Sequence, residues 1–365
     1  MVDYDLQTPM MKQILDIKKK YPDSILMTRM GDFYEMFFDD AKIAARLLDI
    51  TLTSRGGKHR SVPLAGIPYH AADLYISKLV KKGHKVTICE QVEDPKNAVG
   101  LVKRAVTKTI TPGAVVDTKM LDSKTNNYII SIFKDRDCFG ITFADISTGA
   151  FFTTSFEGKD YLFSEIAKFK PREYIMAKSV QLENEFLDEL KNNCGACINF
   201  LDDDSFRPDA AKSALARQFN TKYLEGFGIS DKPLSIRSSG ALIKYISDTQ
   251  LRTLSHLNNI HVYSVTDYMV LDAATQRNLE ICTNIADGSL NGTLFGLFDK
   301  AKTPMGARLV KYWLLHPLLN ISKIRRRHDA VFELSKNIIL HKDLRDYLDN
   351  MYDVERIISR IGYGN

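Results

Sequence analysis

The spacing of apolar residues changes along this chain, and that change constrains the fold more than any other feature of the sequence. Up to about residue 230, short apolar or alternating runs of strand length are interleaved with stretches at helical spacing. From roughly Ser238 onward strand signals thin out and 3.6-residue periodicity dominates. Interleaved strands and helices call for sheets covered by helices, whereas a purely helical stretch packs helix on helix. In 365 residues, two or three domains are expected, α/β at first and all-α at the end.

The first third reads as an α/β unit with a mixed sheet. Thr8-Pro9 is an N-cap followed by a first-turn proline, and Met11, Ile14, Leu15 and Lys18 continue at helical spacing. The short apolar run Ile25-Leu26-Met27 leads into Gly31, and Asp39 and Asp40 open a helix with Ile43, Ala44, Leu47 and Leu48 on one face. A polar loop is expected over residues 54–61, a helix over 71–82 stopped by Gly83, and strands over 85–92 and 102–110. Thr111-Pro112-Gly113 punctuates the end of the unit. Strand patterns resume at 128–133, 139–145 and 150–156, and helices with short strands follow, so a second α/β domain is expected. Beyond it, helices are expected over 273–281, 303–315 and 322–340, and from about Arg345 to Gly362. The domain boundaries expected from this pattern are 1–116, 117–253 and 254–365.

Charge distinguishes the first of these segments. Residues 1–116 hold 18 Lys and Arg against 13 Asp and Glu, 117–253 hold 18 against 20, and 254–365 hold 14 against 12. The net +5 of the whole chain therefore sits in its first third, which points to a polyanionic partner for that module. A composition 44% hydrophobic and 26% charged excludes collagen, a disordered tail and a disulfide-rich scaffold. No apolar run approaches the ~18 residues of a membrane span, and the first ten residues have neither the basic nor the apolar region of a secretory signal. Five scattered cysteines fit a reducing cytosol, so a cytoplasmic protein with no membrane partner is expected.

The most specific short stretch is Arg29-Met30-Gly31-Asp32-Phe33-Tyr34-Glu35. Phe33 and Glu35 are two apart and, in an extended backbone, point to the same side, while Gly31 allows a tight turn just before them. A projecting aromatic can wedge between base steps from the minor groove and kink the duplex. A carboxyl group beside it is unusual on a surface facing phosphates, and makes sense if it hydrogen-bonds a displaced base. Taken alone, the two residues read more readily as a core aromatic and a solvated charge.

The stretch resembles the mismatch-recognition motif of the MutS family of DNA mismatch-repair proteins. Pro63-Leu64-Ala65-Gly66-Ile67-Pro68-Tyr69-His70, Ile88-Cys89-Glu90-Gln91 and Thr109-Ile110-Thr111-Pro112-Gly113 are similar to further family landmarks in the same order. So are Leu271-Asp272-Ala273-Ala274-Thr275-Gln276-Arg277-Asn278-Leu279-Glu280 and Thr303-Pro304-Met305-Gly306 in the helical part. The resemblance implies a mismatch-recognition domain, a ribonuclease H-like connector domain and the start of an all-α core, or lever, in that order. It implies that Phe33 stacks on the mispaired base and that Glu35 is its hydrogen-bonding partner. Arg55 and Lys108 would contact the DNA backbone, and Leu64, Tyr69 and His70 would lie around an Ala-Gly-Ile-Pro turn close to the duplex. The implied partners are double-stranded DNA carrying mismatches or small insertion/deletion loops, a second copy in a homodimer, and a MutL-type repair protein. A prokaryotic, nucleoid-associated setting goes with them.

The family also hydrolyses ATP with Mg2+ in a C-terminal domain. A phosphate-cradling loop needs Gly-x-x-x-x-Gly-Lys-Ser/Thr, and the only Gly-Lys pairs here, Gly57-Lys58 and Gly158-Lys159, lack the upstream glycine and the following hydroxyl. The chain is therefore expected to end inside the lever, to bind no cofactor or metal and to be no enzyme by itself. Two other readings stay open: a metal-dependent nuclease using Asp145 with Asp202-Asp203-Asp204, and an interaction scaffold without DNA binding. Cys194-Gly195-Ala196-Cys197 has the spacing of half a zinc site but no second pair, and reads as structural. Arg325-Arg326-Arg327, expected in a helix, would fan over different faces.

Overall fold

The computed structural model describes residues 8–56, 61–93, 102–250 and 254–362. They fall into two compact units, Met1–Pro112 with Asp248–Leu251, and Gly113–Ser247 with Arg252–Asn365.

The first unit begins with α1 (Pro9–Lys20), where Thr8 Oγ1 accepts the Met11 N–H and Pro9 occupies the first turn. β1 (Ser24–Met30) turns at Gly31, whose φ of +58° suits glycine, into β2 (Phe33–Phe37). α2 (Phe38–Leu48), β3 (Thr53–Arg55), β4 (Val62–Pro68), α3 (Ala72–Lys81), β5 (Lys85–Gln91) and β6 (Arg104–Ile110) follow. The strands form one sheet in the order β3-β4-β2-β1-β5-β6, antiparallel except for the β1–β5 pair.

Strand alternation gives this sheet two different faces. Met27, Tyr34, Met36, Ala65, Ile67 and Val86 are buried on one. The other carries Phe33, Glu35, Gly66 and Arg55, and is covered in part by α1, whose Met11 and Ile14 pack on Leu26, Phe37 and Cys89. Two expectations are corrected here. The polar loop expected over 54–61 begins later, because Ser54 and Arg55 belong to the edge strand β3; residues 57–60 lie outside the described residues. The Ala-Gly-Ile-Pro segment is no turn but the middle of β4. Pro63 and Pro68 sit near the ends of that strand, and Gly66 pairs with Glu35 inside it.

The second unit opens with an antiparallel meander of β7 (Ile129–Asp135), β8 (Cys138–Asp145) and β9 (Ala150–Glu157). α4 (Lys159–Phe169) crosses to β10 (Glu173–Ala177), which pairs parallel to β7, and α5 (Asn184–Asn193) leads to β11 (Cys197–Leu201), parallel to β10. An antiparallel meander extended by parallel strands is the arrangement expected of a ribonuclease H-like connector. α6 (Pro208–Gln218) and α7 (Pro233–Gln250) meet at a close crossing, where a Cβ on Gly240 would stand 2.3 Å from Ala211 Cα.

Helices dominate from there: α8 (Ala273–Asn278), α9 (Leu294–Phe298), α10 (Pro304–Leu315), α11 (Ile321–Lys336), α12 (Ile338–Asp349) and α13 (Val354–Gly362). The segment is not wholly helical, since β12 (His261–Val262) adds a short parallel strand beside β9 and completes the order β11-β10-β7-β8-β9-β12. The single helix expected over 322–340 is two, because Asn337 ends α11 and caps α12 by accepting the Leu340 N–H. The helix expected from Arg345 to Gly362 is likewise broken after Asp349, and Asp353 accepts the Arg356 N–H at the start of α13.

Candidate nucleic-acid interface

The first unit brings Phe33, Glu35, Leu64 and Arg55 to the sheet face that α1 leaves partly open. Phe33 starts β2 directly after the Gly31 turn, between Met30 on β1 and Pro68 on β4, and 48% of it is exposed. Glu35 is two residues on, on the same face, opposite Thr28 and Gly66. A Cβ on Gly66 would lie 3.8 Å from the Phe33 ring and 3.9 Å from Glu35 Cγ, so its absence keeps the space between the two side chains open. An open depression of about 590 Å³ runs from Phe33 and Glu35 past Gly66 and Leu64 to Thr53 and Asp49.

One guanidinium group holds the carboxylate, and a second is fixed on β6. Arg55 reaches in from the edge strand and places Nη1 3.1 Å from Glu35 Oε2. Arg104 on β6 donates from Nη1 to Gln13 Oε1 at 3.2 Å and to the Val102 carbonyl at 3.3 Å, with Nη2 against Met30 Sδ. Burial lowers the Arg104 pKa from its usual value, and Cys89 and then Glu35 partly counter that shift. Sequence reasoning missed Arg104, since nothing in its neighbours distinguishes it from Lys103.

Tyr69 and His70 follow β4 at the end of the sheet where Phe33 lies. The Tyr69 N–H donates to the Asp32 carbonyl at 2.9 Å, and the Arg29 guanidinium lies 3.8 Å over the Tyr69 ring. His70 stands edge-on beside it. Tyr34, between Phe33 and Glu35, points the opposite way and donates its hydroxyl to Glu90; burial first, then Glu90, pushes the phenol up to about 12. Leu64 lines the depression and packs against the α1 cluster. Lys108 is not brought to this face. A β-bulge between Ile88 and Cys89 pairs Lys108 with Ile88, whose side chain is on the other side of the sheet from Glu35.

Known proteins are similar in sequence to nearly all of this chain. Family models described as MutS domain I, MutS domain II and MutS domain III match residues 8–119, 127–258 and 274–365. The chain belongs to the MutS family. It is 46% identical over 363 residues to the DNA mismatch repair protein MutS of Halothermothrix orenii, covering 98% of this chain and 40% of that protein. The proteins of that name from Alkaliphilus oremlandii and Methanococcoides burtonii are 43% and 42% identical, each over 98% of this chain and 41% of their own length. The chain thus spans about two fifths of the length of these relatives.

In this MutS-family chain the remaining sequence candidates are structural. Asp145 is fully buried, and its carboxylate accepts from Asn126 Nδ2, the Asn127 N–H, the Ser147 N–H and Ser147 Oγ at 2.7–3.1 Å. It anchors the turn after β8 and has no lone pair left for a metal. Asp202 pairs with Lys178, and Asp203 accepts the Ser179 N–H. Among the described residues no three His, Cys, Asp or Glu side chains converge. Cys194 follows α5 with Sγ against the Pro171 carbonyl, and Cys197 starts β11. Gly158-Lys159 does not fit a nucleotide phosphate: Lys159 is ion-paired with Glu189, and Asp160 follows it. Gly57-Lys58 lies outside the described residues. Arg327 stacks 3.9 Å over the Trp313 ring. Among the described residues no helix is long and apolar enough to cross a membrane.

Proposed function

We propose that this chain recognises mispaired or unpaired bases in double-stranded DNA, with Phe33 as the wedge. The observation that carries the reading is a half-exposed phenyl ring beside the Gly31 turn, with a carboxylate on the same strand face and a guanidinium 3.1 Å from that carboxylate. Arg55 and the net charge of the first segment attract the backbone without regard to sequence. Phe33 then tests whether a base step yields. A mismatched or unpaired step costs less to unstack than a paired one, so deformability becomes selectivity. Glu35 accepts a hydrogen bond from the displaced base. Tyr69, His70 and Leu64 line the approach to the ring, and Lys108 contributes charge from the other side of the sheet.

We assign residues 1–116 to mismatch recognition, 117–253 to a connector and 254–365 to the start of a lever. In a full-length family protein, a homodimer would enclose the duplex, ATP with Mg2+ would be hydrolysed elsewhere in the subunit, and a MutL-type protein would receive the signal. The contribution of this chain is binding, and its setting is the cytoplasmic nucleoid. That the relatives are DNA mismatch repair proteins supports this reading. A gel shift with G·T, single-base-insertion and fully paired duplexes at two salt concentrations tests it. Tighter binding of the first two at both salts is expected, and equal binding of all three at either salt contradicts it.

A further inference from the structure

Arg55 and Glu35 are each wanted by DNA, yet in this structure they hold each other. The contact is a single one, Arg55 Nη1 to Glu35 Oε2 at 3.1 Å, with 50% of the arginine side chain and 20% of the glutamate side chain exposed. Among the described residues Glu35 is the sole hydrogen-bond partner of the Arg55 side chain. We propose that this ion pair is a latch coupling the backbone contact to the base contact: Arg55 leaves Glu35 for a phosphate, and Glu35 is satisfied afterwards only when a displaced base offers it a donor. The proposal rests on the mismatch reading above and adds to it where the discrimination arises.

The two partners differ in freedom. Glu35 is on β2, hydrogen-bonded on both sides by β1 and β4, and keeps its place. Arg55 ends the three-residue edge strand β3 with half its side chain in solvent. Among the described residues, swinging away breaks a single side-chain hydrogen bond. A half-exposed ion pair holds weakly, and a phosphate offers the guanidinium a stronger, two-pronged partner. Release leaves the Glu35 carboxylate without a hydrogen-bond partner among the described residues, since Arg104 is held by Gln13 and the Val102 carbonyl. The open floor over Gly66 leaves room for a base edge to approach the freed carboxylate.

On a paired duplex only half of the exchange is available. Taking Arg55 leaves an unsatisfied carboxylate facing a polyanion, so the latch stays shut and that phosphate is not neutralised. On a mismatched duplex both halves complete. The latch therefore opposes paired DNA selectively, which neither residue does alone.

Glu35→Gln and Arg55→Gln, singly and together in the full 365-residue chain, separate this from plain repulsion between Glu35 and DNA. Binding is read by fluorescence anisotropy on G·T and paired duplexes across a salt series, with thermal midpoints confirming that each variant folds. Glu35→Gln is expected to lower the mismatch-over-paired affinity ratio about fivefold in the parent, and less than about twofold in the Arg55→Gln background. It is also expected to steepen the salt dependence on paired DNA by about 0.9 in log–log slope, one phosphate contact, only when Arg55 is present. Equal effects of Glu35→Gln in both backgrounds overturn the latch while leaving the wedge standing. A parent chain with no preference for the G·T duplex overturns the mismatch reading and the latch together.

Discussion

At the scale of single residues, Phe33 and Glu35 were legible because a glycine and a spacing of two suffice to put them on one side of a strand after a turn. What they meet was not. Arg55 is 20 residues from Glu35 and reaches it across β4, a contact that no local pattern announces. Lys108 shows the reverse. Uninterrupted alternation from Arg104 through Val106 would bring it to the Glu35 face, but the bulge at Ile88/Cys89 inserts one residue and turns it away. Glu35→Gln tests the role of the carboxylate group: the amide still accepts a hydrogen bond, so duplex binding by gel shift is expected to persist. Complete loss of DNA binding would remove Glu35 from the base-contact role. Its unfolding free energy should stay within about 0.5 kcal/mol of the parent, since the ion pair it breaks is half exposed.

At the scale of elements, capped helices and alternating strands matched expectation where their signals are local, as in α1 behind Thr8-Pro9 and the meander β7–β9. Misreadings arose where tertiary partners decide. The family resemblance implied a turn at Ala-Gly-Ile-Pro, yet this segment lies in β4, and β2 and β3 pair with it on both sides. The long apolar periodicity after Ser322 hid the break at Asn337, where a side-chain cap replaces helix continuation. Two predictions belong here. Gly240→Ala places a methyl group 2.3 Å from Ala211 Cα, so α6 and α7 must separate, and a loss of about 1–3 kcal/mol in denaturant unfolding is expected. The second concerns His316, which ends α10 with Nδ1 3.0 Å from the Tyr312 carbonyl and Nε2 buried without a hydrogen-bond partner among the described residues. Burial, reinforced by Lys168, lowers its pKa from 6.5 to about 3. The neutral ring is therefore favoured in the folded chain. Its contribution is complete above pH 6.5 and declines as pH falls toward 3, by up to roughly 1.4 kcal/mol per pH unit. His256, also lowered by burial, acts in the same direction. The thermal midpoint should drop between pH 7 and pH 5, and His316→Phe should reduce that drop. An unchanged drop in the variant would clear His316 of it.

At the scale of the whole chain, the second unit joins α/β and helical parts through a few buried cations. Arg308 on α10 donates to Asp353 at 2.7 and 2.8 Å, to Glu355 at 2.6 Å and to the Ser123 carbonyl at 2.8 Å. Arg356 on α13 donates to the carbonyls of Asp122 and Thr125. Arg308→Ala leaves Asp353 without its main partner and is expected to lower the stability of that unit by about 2–4 kcal/mol in chemical denaturation. Sequence showed the order of the segments but not these ties, which link residues 45 to 234 positions apart. The charge asymmetry read from composition stands beside the exposed Phe33–Glu35–Arg55 face in the same first unit. The measurement that bears most directly on the account is the ratio of G·T to paired duplex affinity in the parent chain and in Phe33→Ala, at one fixed salt concentration. A preference in the parent that falls by about 1–3 kcal/mol in the variant is expected, with salt-sensitive binding to both duplexes retained. An unchanged ratio in Phe33→Ala would contradict it.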